Sequence, residues 1–472
     1  MTRLPARPPA SGAMASGRPV AVDGPVVSAD RHDTADLDVA TLHESLVDPV
    51  MASMNFLNEV SSRFPDAISF AAGRPLEDFF DTADIARQVD RFVEYLRIER
   101  SLPEDAVRRT LFQYGRTNGI IHDLVARHLE VDEGVRVSTD SVVVTVGAQE
   151  AMFLVLRALR ASTRDVVLAV SPTYVGLTGA ARLVECPIVP VHGGDAGIDL
   201  DDLAATINAV RADGRRPRAL YVVPDVANPS GISLDLQTRQ GLLAAAAEQD
   251  ILILEDNAYG VFAGEQRLPT LKALDVARRV IRLGSFAKSV SPGARVGYVI
   301  ADQRVHDSRH PDKLVLLADH LSAIKSMLTV NTSPIAQAVI GGALLAHGHS
   351  LVSANRRQIA IYQHKLAAVL EGLARRFPPA GVGGRPIVTW NSPTGGFFVT
   401  LTVPFPVDDK LLEWSARKHG VLWTPMSHFY ADEGGRHQIR LAFSQLVPAQ
   451  IDDGLDRLAR FIHAAGRSTL PA

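Results

Sequence analysis

Lys288 lies in the stretch Leu283-Gly-Ser-Phe-Ala-Lys288-Ser-Val-Ser-Pro-Gly-Ala-Arg295-Val-Gly-Tyr298, among small and apolar residues and seven positions before an arginine. The chain uses lysine sparingly: of 49 basic residues only seven are Lys, and the rest are Arg. An amine in apolar surroundings loses its proton readily, whereas a guanidinium does not. Lys288 is therefore a candidate for amine chemistry rather than for charge alone.

Three further segments carry reactive groups at the ends of apolar runs. Val142–Val146 leads into Gly147-Ala148-Gln149-Glu150, where free N–H groups opening a helix make an anion site. Leu220–Pro224 leads into Asp225-Val-Ala-Asn228-Pro229-Ser230-Gly231; an Asn before Pro is held extended, which turns its amide off the strand end. Ile251–Glu255 leads into Asp256-Asn-Ala-Tyr259-Gly260, and a carboxylate there needs a positive partner. Ser285 and Arg295, either side of Lys288, suit a phosphate. Taken singly, each motif has an ordinary structural explanation as a turn or a loop cap. Taken together, a phosphate anchor, a buried carboxylate, a lysine and two polar groups are what pyridoxal phosphate requires.

The elements that must position these groups alternate. Short β-branched runs (Val142–Val146, Val166–Val170, Ile188–Val191, Leu220–Val223, Ile251–Glu255, Val280–Leu283, Val296–Ile300) are separated by helical patterns such as Gln149–Arg160, Thr178–Leu183 and Leu236–Gln249. That alternation predicts an α/β fold with a mostly parallel sheet covered by helices on both faces. Ligands of such sheets sit at the carboxyl ends of the strands. After about residue 330 the pattern becomes one long helical stretch over Ser333–Phe377, then short strands (Ile387–Trp390, Gly396–Leu401, Gln438–Phe443) and a last helix over Pro448–Ala464. The expected organisation is a flexible extension over 1–44, an N-terminal segment over 45–75, a large domain over 76–325, and a smaller α+β domain over 326–472 that packs with the 45–75 segment.

The 472-residue length fits two or three domains. A net charge of −3 offers no electrostatic argument for nucleic acid or an anionic membrane. The single cysteine, Cys186, cannot form an internal disulfide and anchors no metal cluster. No apolar run reaches the roughly 18 residues of a membrane span. These features fit a cytoplasmic protein without nucleic-acid, membrane or metal partners.

The motifs resemble those of class I/II pyridoxal-phosphate aminotransferases of fold type I, and most of all their kynurenine/2-aminoadipate branch. The likeness covers about residues 45–465 and rests on Tyr114-Gly115 with Gly119, Gly147-Ala148-Gln149, Pro172-Thr173-Tyr174, Asn228-Pro229-Ser230-Gly231, Asp256-Asn-Ala-Tyr259, Ser285-Phe-Ala-Lys288 with Pro292-Gly293-Ala-Arg295, and Gly395-Gly396-Phe397-Phe398 leading to Arg440-Leu-Ala-Phe443. It implies transfer of an amino group from an L-amino acid to a 2-oxo acid by a ping-pong route through pyridoxamine phosphate. Lys288 would bind the cofactor covalently and shuttle the proton, and Asp256 would pair with the pyridine nitrogen. Asn228 and Tyr259 would meet the phenolic oxygen, and Tyr174 would stack on the ring. Gly147, Ala148, Gln149, Ser285 and Arg295 would hold the phosphate, joined by Tyr114 from the neighbouring subunit of a homodimer with shared sites. Arg440 would clamp the substrate carboxylate, assisted by Asn228 and by the Gly73 loop.

Two departures from the family pattern bear on the substrate. Gly73 is followed by Arg74, which becomes a candidate for side-chain recognition. The approach to Asn228 reads Asp225-Val-Ala rather than the aromatic-Gln type. The same cofactor contacts also serve elimination, cyclisation and oxidation of amino acids. A more remote reading is an effector-binding regulator, which would need a DNA-binding domain ahead of the fold.

Overall fold

The computed structural model describes residues 36–467, apart from 49–50, 52–55, 57–58, 195–196, 265–266, 307–314 and 379–387. Most of the expected extension over 1–44 lies outside the described residues. The chain divides after Val47 into two compact units. In the first, the described residues form two short 3-10 turns, Val39–Thr41 and Glu44–Val47, and the Asp38 side chain caps the former.

The second unit is built on a seven-stranded sheet. Its strands, numbered after β1 (Ile68–Ser69), are β2 (Val142–Thr145), β3 (Asp165–Ser171), β4 (Ile188–His192), β5 (Arg216–Val222), β6 (Leu252–Asp256), β7 (Val280–Ser285) and β8 (Gly297–Ile300). All seven apolar runs of the sequence become strands of this one sheet. Their order is β2-β8-β7-β6-β5-β3-β4, and every pairing is parallel except the two made by β8. Strands with both faces covered read as continuous apolar runs rather than alternating ones, and every residue of β2 and β8 is buried. One apolar cluster joins the sheet to the helices Gly147–Leu159 and Val175–Leu183, and another joins it to Leu200–Ala212 and Leu236–Glu248.

Because β8 runs against its neighbours, its start lies at the same edge as the ends of the other six strands. Every strand-end motif is thus delivered to one edge. Beyond β3 the chain turns outward to β4; beyond β5 it turns the other way to β6. The crevice between β3 and β5 is the place where such a sheet binds ligands.

A short antiparallel pair follows, β9 (Arg304–Val305) and β10 (Val315–Leu316). The long helical stretch is not one helix. It breaks into Pro334–Ala346, Leu351–Ala354 and Arg356–Arg376, with Gly348 and His349 between the first two in left-handed conformations at φ 57° and 67°, which no helix can run through. Next come β11 (Thr389–Trp390), β12 (Phe398–Thr402), β13 (Val421–Leu422), β14 (Thr424–Pro425) and β15 (Gln438–Ala442), and the helix Pro448–Arg467 closes the chain. β11, β12, β15 and β14 make an antiparallel sheet, while β13 pairs in parallel with β1. The expected strand Ile387–Trp390 begins, within the described residues, only at Thr389.

Candidate active site

The loops at the common edge enclose a cavity lined by Ala148, Gln149, Tyr174, Asn228, Asp256, Tyr259, Ser285, Lys288 and Arg295, together with Met152, Val223, Ala258 and Ala287. Residues from six separate strand ends meet here. Lys288 follows β7, and its Nζ donates to the Gly73 carbonyl at 3.3 Å. It also lies 5.5 Å from the centre of the Tyr259 ring. Burial, then the charges of Arg295, Arg74 and Arg440, bring its pKa down to about 8.

Asp256 ends β6. The buried Tyr221 hydroxyl donates to its Oδ2 at 2.6 Å, and its Oδ1 is buried with no partner. Burial pushes the carboxyl up to about 6, against the pull of Tyr221, the Ala258 N–H and Arg282. Tyr259 is also raised by burial, with a hydrogen bond from Asn228 opposing. Burial lifts Tyr174, which lines the same cavity, to about 12.

At the start of helix Gly147–Leu159, Gly147 has φ 71°, and a Cβ there would come within 2.5 Å of the Arg295 guanidinium. Only glycine fits both demands. Glu150, one turn on, accepts from the Val146 N–H, from buried Lys325 and from Thr329, which pins the loop ahead of the helix. The Gln149 side chain is committed elsewhere, donating to the Gly176 carbonyl at 2.6 Å.

Arg440 on β15 borders the cavity through Asn228. It donates to Asn228 Oδ1 at 2.7 Å and to the Ala71 carbonyl at 2.8 Å, while its Nε is buried without a partner. The guanidinium is sandwiched between the rings of Phe398 and Phe429, at 4.7 and 4.8 Å. Burial lowers its pKa to about 10, a measure of how poorly the protein alone solvates the charge. Gly73 presses on the same wall: a Cβ would stand 2.4 Å from the Phe398 ring. Arg74 is exposed, and its carbonyl accepts from Ser444 Oγ at 2.5 Å. Tyr114 is 85% exposed and does not line the cavity of its own chain.

Residues 94–458 match the family model described as aminotransferase class I and II. The chain belongs to that family. An (S)-3,5-dihydroxyphenylglycine transaminase of Amycolatopsis orientalis is 55% identical over 91% of this chain and 96% of its own length. A 2-aminoadipate transaminase of Thermus thermophilus is 31% identical over 84% of this chain and 90% of its own. Among solved structures, kynurenine aminotransferase of Pyrococcus horikoshii in complex with PMP matches with a TM-score of 0.74 at 26% identity, covering 93% of this chain and 99% of that one. The aminotransferase thus has fold type I, transfers amino groups and depends on pyridoxal phosphate.

The residues present fit that cofactor. The buried Asp256 Oδ1, without a hydrogen-bond partner, matches a protonated ring nitrogen, which would put a cation in direct contact with a carboxyl that otherwise feels only the charge of Arg282. The bare Cα of Gly147 lets the Arg295 guanidinium close onto the backbone that opens the helix, which sets a cation beside free N–H groups, the donors a phosphate needs.

Motif reading passed over Tyr221, Glu150 with Lys325, and the partners of Asp225 described below. Tyr221 sits inside an apolar strand and reads as core; nothing local marks its hydroxyl as a ligand of Asp256.

Proposed function

We propose that this aminotransferase acts on an arylglycine, an amino acid whose aromatic ring is borne directly on Cα, with (S)-3,5-dihydroxyphenylglycine the first candidate. The observation that carries this reading is the 55% identity to the Amycolatopsis transaminase along nearly the whole of both chains. A second amino acid and its 2-oxo acid complete the ping-pong exchange.

Arg440 is assigned to the α-carboxylate, which it would bind as a planar fork; its unpartnered Nε and its aromatic walls support this. Lys288 would hold the cofactor and, once released, would carry the proton taken from Cα of the substrate. Its depressed pKa suits a base working near neutral pH. Asp256 would hold the ring nitrogen protonated, Asn228 and Tyr259 would donate to the phenolic oxygen, and Tyr174 would flank the ring. Ser285, Arg295 and the N–H groups from Gly147 to Gln149 hold the phosphate. Arg74, whose charge already acts on Lys288, is assigned to the phenolic oxygens of the substrate ring. When bound, pyridoxal phosphate supplies the electron sink and carries the amino group between half-reactions.

A spectroscopic screen of amino acids against the cofactor-loaded enzyme tests the substrate. (S)-3,5-dihydroxyphenylglycine should discharge the absorbance of lysine-bound cofactor with kcat/KM about tenfold or more above 2-aminoadipate and kynurenine. A preference for either of those would remove the proposal.

The homodimer with shared sites, the cytoplasmic location, and the division into a larger part over 76–325 and a smaller part from 45–75 and 326–472 belong to the same reading. Support for the dimer comes from exposed apolar side chains on this chain, Phe112, Tyr114, Met327, Leu328, Val330 and Ile335 among them. If Tyr114 serves the partner's phosphate, inactive Lys288→Ala and weakened Tyr114→Phe subunits, mixed and re-associated, should recover activity. One site of each hybrid then combines an intact Lys288 with an intact Tyr114. Mixtures no more active than the Tyr114→Phe enzyme alone would rule out sharing.

A further inference from the structure

The approach to Asn228 departs from the family pattern at Asp225-Val-Ala, and the structure gives this segment an occupation away from the substrate. Asp225 is 5% exposed and Arg239, from helix Leu236–Glu248, is 0% exposed. Arg239 Nη2 donates to Asp225 Oδ1 at 2.5 Å. The rest of the guanidinium is used up on carbonyls: Leu234 at 3.0 Å, Pro269 at 2.9 Å and Pro224 at 3.2 Å. Asp225 Oδ2 accepts from Asn257 Nδ2 at 2.8 Å. Asn257 directly follows Asp256. One carboxylate therefore ties the loop that presents Asn228 to the loop that presents Asp256 and Tyr259.

The next residue is under strain. Val226 is fully buried with φ 43°, a conformation that costs a β-branched residue on the order of 1–3 kcal/mol and persists only where the surroundings over-determine it. Its N–H donates to Ser233 Oγ at 2.9 Å. Its side chain fills the space beside Gly396, where a Cβ would come within 2.7 Å of it. Asn257 is equally confined, since a Cβ on Gly260 would meet its Oδ1 at 2.1 Å.

We propose that Asp225, Arg239 and Asn257 form a positioning unit that holds Val226 in its strained turn and thereby sets Asn228 and Asp256 together against the cofactor. None of the three lines the cofactor cavity, so they act through the residues they hold. The proposal rests on the reading of Asn228 as a donor to the cofactor's phenolic oxygen. A buried ion pair is a poor stabiliser compared with neutral groups of the same shape, which makes its removal informative about positioning.

The readout is the pH midpoint of the absorbance of lysine-bound cofactor, with melting temperature measured alongside. A donor to the phenolic oxygen favours the deprotonated form and lowers the midpoint, so losing it raises the midpoint by about one unit. Asn228→Ala calibrates that shift. Asp225→Asn and the double variant Asp225→Asn with Arg239→Gln, which removes both charges at once, should raise the midpoint in the same direction. The double variant also loses the donors to the Leu234, Pro269 and Pro224 carbonyls, so it should melt lower than the unmodified enzyme while staying folded under the assay conditions. If Asn228→Ala raises the midpoint and the double variant, still folded, leaves it in place, the pair is merely structural and the positioning role is refuted. If Asn228→Ala itself leaves the midpoint unmoved, the reading of Asn228 falls and the positioning role with it.

Discussion

Replacing Lys288 with alanine is expected to lower kcat by about 10⁴-fold or more, because the proposed role makes one side chain both the covalent anchor and the proton carrier. The cofactor should still bind through Asp256, Ser285 and Arg295, so the protein stays folded and loaded while the absorbance of the lysine-bound form is lost. The same amine sets a pH dependence. Only the uncharged amine attacks the cofactor aldehyde, and burial beside Arg295, Arg74 and Arg440 brings its pKa down from 10.5 to about 8. Covalent capture of added pyridoxal phosphate by cofactor-free enzyme should therefore increase as pH rises, with a midpoint near 8. A midpoint at the ordinary lysine value, or appreciable turnover by the alanine variant, would show that Lys288 does not hold this role.

The second large effect is expected at Arg440. Removing one partner of a buried, charge-assisted contact costs about 2–5 kcal/mol, so Arg440→Ala should lower kcat/KM for amino acids by a factor of about 30 to about 5,000 while cofactor absorbance remains. Arg440→Lys should rescue little. A lysine has no planar fork to meet a carboxylate, and its more strongly hydrated ammonium suits the slot between Phe398 and Phe429 poorly. The alanine change also strips a donor from Asn228 Oδ1 and the Ala71 carbonyl, so some loss of stability accompanies it. Unchanged amino-acid KM and kcat in Arg440→Ala would place the carboxylate elsewhere.

The scarcity of lysine is a less specific signal than it first reads. Lys272, Lys325 and Lys365 are also buried. Lys272 pairs with Asp302, Lys325 with Glu150, and Lys365 donates to the Ser444 carbonyl. Among the described residues a lysine marks burial more often than chemistry. What singles out Lys288 is its company: a glycine-opened helix, an Asn-Pro turn and a strand-ending aspartate, each following its own apolar run.

Those local features are written along the chain, because strand runs, helix starts and turn residues are decided by neighbours within a few positions. The α/β fold, the seven strands and the residues that the folded chain gathers around one cavity were legible for that reason. Partnerships across the chain were not. The Tyr221 hydroxyl meets Asp256 across 35 residues, Lys325 meets Glu150 across 175, and Arg440 meets Asn228 across 212. Nothing about a tyrosine inside an apolar strand, or an arginine in the first turn of a helix, distinguishes a ligand from core or surface. Only the tertiary structure decides which buried charge faces which, since burial makes an unpaired group costly and close packing leaves room for just one partner. By itself the sequence determined the cofactor and the strand ends that carry the candidate residues for it; the folded chain decided that Asp225 is buried against Arg239 and Asn257.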